Sequence, residues 1–115
     1  MPVRDLLHRT LLEDWLTEFR ELGYLTGSDI RVLEQHDDDD AGSGLIVVDL
    51  TEAATITYLQ PIPGGKGAWK ATMEAREKTI ELGAVALVNL GNEVNVLGAL
   101  VSFLEVKSKE LLASR

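Results

Sequence analysis

Residues 80–112 read IELGAVALVNLGNEVNVLGALVSFLEVKSKELL, and this stretch decides the fold because it is too apolar to face water. It must be buried against the protein's own sheet, against a second copy or against a partner. Leucine and valine recur along it at steps of three and four residues, which predicts a helical seam. Ser108 is the polar exception in that seam. The candidate interaction residues are therefore Leu87, Leu90, Val94, Leu97, Val101, Leu104 and Leu111.

Gly91 and Asn92 interrupt this seam and leave two interpretations open. In the helical interpretation, the pair is a C-cap followed by an N-cap between two helices, or a soft spot in one long helix. In the alternative, the pair is a two-residue turn between two valine-containing strands. Strict alternation of polar and apolar residues is absent, and the alanines and leucines favour helix. We therefore predict helix and expect Gly83, Gly91 and Gly98 to mark breaks or tight contacts.

The first residues of the chain predict an N-terminal helix that runs from Pro2 or Val3 to Leu22. Proline suits the first position of a helix. Gly23 provides a stop, because only glycine enters the left-handed cap without strain. The apolar stripe of this helix is expected to comprise Leu7, Leu11, Trp15, Phe19 and Leu22.

Three strands are predicted to follow, at residues 30–35, 45–50 and 54–59, because these segments are rich in β-forming residues. The short link at residues 51–53 makes the second and third strands an antiparallel hairpin. Residues 36–44 are typical of a solvated loop. This acidic loop carries four consecutive carboxylates, Asp37, Asp38, Asp39 and Asp40.

The segment PIPGGKG at residues 61–67 is predicted to break the sheet before a second helix. That helix should begin near Ala68 and direct Trp69, Met73 and Ile80 inward. The predicted fold class is therefore α+β, with an N-terminal helix, a three-stranded antiparallel meander and two C-terminal helices, with Gly91-Asn92 as a candidate break. We expect these elements to form a single α+β domain over residues 1–115.

The order of these elements resembles the layout of the small acidic secretion chaperones. Helix 1 carries Leu11, Leu12, Leu16 and Leu22 and ends at Gly23, and the chain as a whole is acidic. The resemblance extends over the whole chain and rests on layout and acidity. It implies an α-βββ-α-ββ-α arrangement, in which the late apolar segment contains a hairpin, and a dimeric chaperone.

Composition argues against several classes of protein. The chain has 115 residues and no cysteine, which excludes disulfides and a cysteine nucleophile and favours the cytoplasm. The net charge of −8 argues against nucleic-acid binding, where Lys and Arg supply most of the affinity. The first residues hold no unbroken apolar run, so a secretory signal is not expected. Asn89, Asn92, Glu93 and Asn95 argue against a membrane span within residues 84–104.

No motif indicates catalysis, a metal or a cofactor. The sequence PGGKG at residues 63–67 lacks the spacing and the Ser or Thr of a phosphate-binding loop. Consecutive aspartates do not supply the alternating ligands of a calcium loop. His8 and His36 are the only histidines, and no HxxxH or HExxH pattern is present. We therefore expect a protein that is not an enzyme and binds neither a cofactor nor a metal.

Three functions are compatible with these features. The leading hypothesis is a small acidic, non-enzymatic interaction module that forms a homodimer through its C-terminal apolar helical segment. The second is an acidic chaperone or immunity-type protein that masks a basic protein partner, for which the charge of −8 is the motive. The third is a small-molecule binder or small enzyme with a pocket near Trp69, for which Tyr58, Lys66 and Arg76 are further candidates.

Overall fold

The computed structural model describes residues 7–24, 29–35, 43–52 and 55–114. The prediction of an α+β fold is confirmed, because one antiparallel sheet of four strands packs with helices. Two details of the prediction are wrong: there is a fourth strand, and the C-terminal part forms one helix. The elements are α1 (Arg9–Glu21), β1 (Asp29–Gln35), β2 (Ser43–Leu50), β3 (Thr55–Pro61), β4 (Trp69–Met73) and α2 (Ala84–Ala113).

Helix α1 begins at Arg9 and not at Pro2 or Val3 as predicted, and it buries most of the predicted stripe. Leu11 is half-buried. Leu12, Trp15, Leu16 and Phe19 are buried, and Leu7 is buried just before the helix begins. Leu22 is instead 62% exposed, because the helix ends at Glu21 and the chain turns away there. The predicted stop at Gly23 is confirmed by its positive φ of 89°.

The four strands follow one another as a meander in the order β1-β2-β3-β4. β2 is a continuous apolar run because both of its faces are buried, with Leu45 and Val47 on one face and Ile46 and Val48 on the other. The face that carries Ile46 joins the helices in one apolar core. The sheet residues of that core are Val32, Ile46, Val48, Leu50, Leu59 and Trp69.

The second helix predicted near Ala68 is wrong, because residues 69–73 form strand β4. Residues 62–68 close a hairpin, with Ile62 N–H donating to the carbonyl of Ala68 and a positive φ at Gly64, Lys66 and Gly67. At Gly67, a Cβ would lie 2.8 Å from Cγ of Lys109 on α2, so glycine permits a close approach. The error has a physical cause: Trp69 and Met73 are four residues apart, a spacing that suits both a helix and a strand.

Helix α2 is continuous over 30 residues and contains Gly91 and Asn92 in its interior. The possible break at this pair is therefore absent and the alternative hairpin is wrong, whereas the interpretation as one long helix agrees with the structure. The α-βββ-α-ββ-α layout of the secretion chaperones differs from this chain for the same reason, since the observed order is α-ββββ-α. A helical glycine costs only about 1 kcal/mol relative to alanine, which the surrounding apolar residues of α2 offset.

Both helices pack on the same face of the sheet. α1 contacts β1 and β2, whereas α2 contacts β4 and the side of α1. Phe19 of α1 meets Phe103 of α2 with ring centroids 5.6 Å apart, and Lys107 pairs with Glu18 at 3.0 Å between Nζ and Oε1. The packing therefore fixes which side of α2 faces the core.

Candidate interaction surface

Polar contacts at separate points along α2 hold this helix on the sheet. The indole N–H of Trp69 donates to Oγ of Ser108 at 2.8 Å, and the backbone N–H of Trp69 donates to Oε2 of Glu105 at 3.0 Å. Further towards the N-terminus, Oε1 of the buried Glu93 accepts the backbone N–H of Glu52 at 3.2 Å. Ser108, the polar exception in the seam, is thus the partner of a buried indole, and these contacts set the rotation of α2 about its axis.

We expect Ser108→Ala to lower the free energy of unfolding by about 1–3 kcal/mol, because it leaves the buried Trp69 N–H without an acceptor. Urea unfolding followed by circular dichroism measures this loss. Ser102→Ala on the exposed side of the same helix is the matched control and should change stability little. Equal stability of the two variants would contradict a structural role for the bond.

The candidate interaction residues of the seam divide into two groups. Leu97 and Leu104 are buried in the core, and Leu90, Val101 and Leu111 are half-buried. Leu87 and Val94 are exposed, with 58% and 44% of their surface accessible. The seam is therefore partly internal core and partly free surface.

The inward face of α2 is rotated relative to the predicted seam. Glu93, Leu97, Leu100, Leu104 and Ser108 are its buried residues. Leu100 is fully buried and was missed by the sequence prediction, although it lies three residues after Leu97. A seven-residue repeat in the sequence identifies two columns of apolar residues along the helix. Only the contacts with the sheet show which of several neighbouring columns faces the core.

The free end of α2, residues 84–95, carries exposed apolar side chains without exposed charge. Val85, Leu87 and Val88 are between 58% and 76% exposed. From Ala84 to Leu104, the sole ionisable residue is Glu93, and its side chain is buried. An uncharged helix surface of this length is unexpected on a chain of net charge −8, so it indicates an interaction site.

One helix in the described part of the chain, Ala84–Ala113, is long and apolar enough to cross a membrane by composition. Its apolar window has a mean hydropathy of 1.5, and 17% of that window is buried within the protein. The buried residues Leu97, Leu100 and Leu104 hold the second half of this helix in the core.

Two adjoining open cavities of about 620 and 600 Å³ lie along the segment between β4 and α2, and the second one reaches the free end of α2. Both are lined by Leu50, Thr55 and residues 74–80, and the second one also by Met73, Leu90 and Val94. The lining thus combines apolar side chains with charged residues of both signs.

The residues predicted for a pocket near Trp69 are not brought together. Trp69 is 4% exposed and its polar atoms are engaged, so its side chain belongs to the core. Lys66 lies in the β3–β4 turn, whereas Arg76 lines both cavities. Tyr58 donates its hydroxyl to Oε1 of Glu74 at 2.5 Å, and this bond raises the pKa of Tyr58 above its ordinary value of 10.0.

The outer face of the sheet carries an ion-pair network instead of an apolar surface at its β1–β2 end. Nη1 of Arg31 lies 2.7 Å from Asp29 and 2.8 Å from Asp49. Hydrogen bonds to Asp49 and then Asp29 raise the pKa of Arg31. Because these charges are paired and exposed, we regard this ion-pair network as an ordinary solvated feature of the β1–β2 end.

The predicted acidic loop Asp37–Asp40 and His36 lie outside the described residues, so their placement stays a prediction. His8 precedes α1 and is exposed. Within residues 7–24, 29–35, 43–52 and 55–114, no three His, Asp or Glu side chains cluster in a way that could hold a metal ion.

Comparison with known proteins adds no relative to this description. No protein family, no curated protein and no solved structure matches the chain significantly. The exposed, uncharged part of α2 is therefore the candidate functional surface.

Proposed function

We propose that this protein is a small acidic, non-enzymatic interaction module that forms a homodimer through the free end of α2. The observation that supports this proposal is the exposed apolar surface of residues 84–95. This surface has no exposed charge, although the chain has a net charge of −8. A contact that covers Leu87, Val94 and their neighbours removes apolar area from water. Each Å² of apolar area buried stabilises the complex by about 25 cal/mol.

Electrostatics favours a second copy as the occupant of this surface. Two chains of net charge −8 repel each other, so their contact must exclude the carboxylates. The free end of α2 meets this condition, and a two-fold contact uses the same patch on both subunits. Added salt screens the remaining repulsion between the two bodies, so the dimer should tighten as ionic strength rises.

A membrane is a poorer occupant for this helix. Residues 84–95 extend about 18 Å as a helix, whereas the hydrocarbon core of a bilayer is about 30 Å thick. Insertion of the rest of α2 would remove Leu97, Leu100 and Leu104 from the protein core. It would also carry Asn89, Asn92 and Asn95 into hydrocarbon, where polar groups without partners are costly.

Val94→Glu should convert the dimer to a monomer, because it places two like charges in the contact, which costs several kcal/mol. Val94 is 44% exposed, so the fold should persist. Light scattering at micromolar concentration measures the mass, and circular dichroism checks the fold. Val106→Glu is the matched control, since Val106 is 56% exposed on the same helix and lies about 3.3 turns beyond Val94, outside residues 84–95.

Three outcomes would contradict the proposal. The first is a wild-type monomer under these conditions. The second is a dimer that Val94→Glu leaves intact. The third is flotation of the wild-type protein with phosphatidylcholine–phosphatidylglycerol vesicles that Val94→Glu abolishes, because the surface would then bind lipid.

The net charge of −8 also supports a second candidate function, that of an acidic chaperone or immunity-type protein that masks a basic protein. Charge attraction predicts association that weakens as salt rises. This is opposite to the salt dependence expected for the homodimer. The sign of the salt effect on the mass of the complex therefore separates the two functions.

A further inference from the structure

One side of α2 carries two columns of residues that differ in size. Large aliphatic residues recur every seven positions in one column, and small residues recur every seven positions in the other. Successive members of the combined set are separated by three and four residues alternately, so they lie along one line of the helix. We call this line the α2 stripe; it consists of Ala84, Leu87, Gly91, Val94, Gly98 and Val101.

Within the described part of the chain, no contact accounts for the glycines of the α2 stripe. A Cβ built on Gly91 or on Gly98 meets no atom within 4 Å, so nothing in the described structure requires glycine there. Neither residue has a positive φ. Glycine is a poor helix former, second only to proline, and both lie inside α2. Their small size is explained if another surface approaches this side of the helix closely.

We propose that two copies pack their α2 helices antiparallel along the α2 stripe, about a two-fold axis that passes between residues 92 and 93. This inference rests on the homodimer proposed above and specifies its geometry. The axis pairs residues whose numbers are symmetric about it. Leu87 then lies against the partner's Gly98, Val94 against the partner's Gly91, and Val101 against the partner's Ala84.

Size complementarity favours this orientation over a parallel one. In the antiparallel register each large side chain of the α2 stripe faces a small residue, as a knob faces a hole. In a parallel, in-register pair, Leu87 would face the partner's Leu87 and Gly91 the partner's Gly91. That arrangement would alternate crowded layers with empty ones. It is unfavourable because the cores of protein interfaces pack as densely as protein interiors.

Charge favours the same orientation. In a parallel pair, the dipoles of the two helices would lie side by side in the same direction and repel each other. In the antiparallel pair, the charged C-terminal halves of α2 lie at opposite ends of the contact.

The space beside the α2 stripe is open. Val94 lines the cavity of about 600 Å³, Leu87 is 58% exposed, and Gly91 and Gly98 are exposed. A partner helix can therefore reach the stripe without displacing a described element of the chain.

Cysteine cross-linking tests the register, and the chain contains no cysteine to interfere. Leu87→Cys and Gly98→Cys are prepared as separate full-length proteins, mixed, allowed to exchange subunits and oxidised mildly. The expected result is a disulfide-linked dimer in the mixture and none with either protein alone. In the proposed register, the two copies of residue 87 lie about 16 Å apart along the helix axis, and so do the two copies of residue 98, because the rise is about 1.5 Å per residue. A disulfide needs Cα atoms within about 7 Å.

The outcomes separate this inference from the proposed function. Cross-linking of Leu87→Cys with itself would overturn the antiparallel register and leave the homodimer standing. A dimer by light scattering that cross-links in none of the three samples would also overturn the register, since another surface would then be in contact. A monomeric wild-type protein would overturn the proposed function itself. Circular dichroism of each variant confirms that the fold is retained.

Discussion

Leu97→Glu should abolish the folded state rather than merely dissociate a dimer. Leu97 is 6% exposed and contacts the core shared by α1, the sheet and α2. Loss of a buried leucine alone costs about 2–5 kcal/mol. Burial of a carboxyl group without a partner lowers the free energy of unfolding further, because the group must either remain protonated or bring water into the core. The sum approaches the entire stability of a small domain, about 5–15 kcal/mol.

Far-UV circular dichroism and thermal unfolding measure this effect at several protein concentrations. Leu97→Met is the control and should cost less than about 1.5 kcal/mol, because volume and polarity are conserved. A folded, monomeric Leu97→Glu protein would show that Leu97 lies at a subunit contact, which would contradict the packing of α2 described above.

Gly98→Leu should weaken the dimer and stabilise the monomer at the same time. In the monomer, the added side chain points into open space, and the helix gains up to about 1 kcal/mol because leucine replaces glycine. In the antiparallel dimer the same side chain meets the partner's Leu87 at two symmetric points. Overpacking costs about 1–3 kcal/mol at each point, so the dissociation constant should rise at least about tenfold.

Sedimentation equilibrium measures the dissociation constant, and urea unfolding at low protein concentration measures monomer stability. Asn92→Ala is the control, since it also raises helix propensity but lies on the side of α2 away from the stripe. Unchanged dimer affinity in Gly98→Leu would contradict the contact between Leu87 and Gly98. A destabilised monomer would contradict the open surroundings of Gly98.

Several elements were predictable because local rules and tertiary packing agree there. The spacing of Leu12, Trp15 and Phe19 predicts α1, and the positive φ of Gly23 confirms where it stops. The continuous apolar run of β2 predicts a strand in the middle of a sheet. In these segments only one secondary structure buries the apolar side chains.

Strand β4 was not predictable from the spacing of its apolar residues. Trp69 and Met73 suit a helix as well as a strand, and the choice depends on hydrogen bonding to β3 across the turn at residues 62–68. The turn also brings Gly67 against Lys109, far away in sequence. Such pairing is a long-range property that local propensity does not contain.

By itself, the sequence determined that residues 80–112 are too apolar to face water as a whole, that they favour helix, and that Glu93 is the one ionisable residue within residues 84–104. The tertiary structure alone decided which of these residues lie in the core and which remain in solvent. The bonds from Trp69 to Glu105 and Ser108 rotate Leu97, Leu100 and Leu104 into the core, and they leave Leu87 and Val94 in solvent. The physical reason is that helical periodicity places residues on a line, whereas only contacts with the sheet choose which line faces inward.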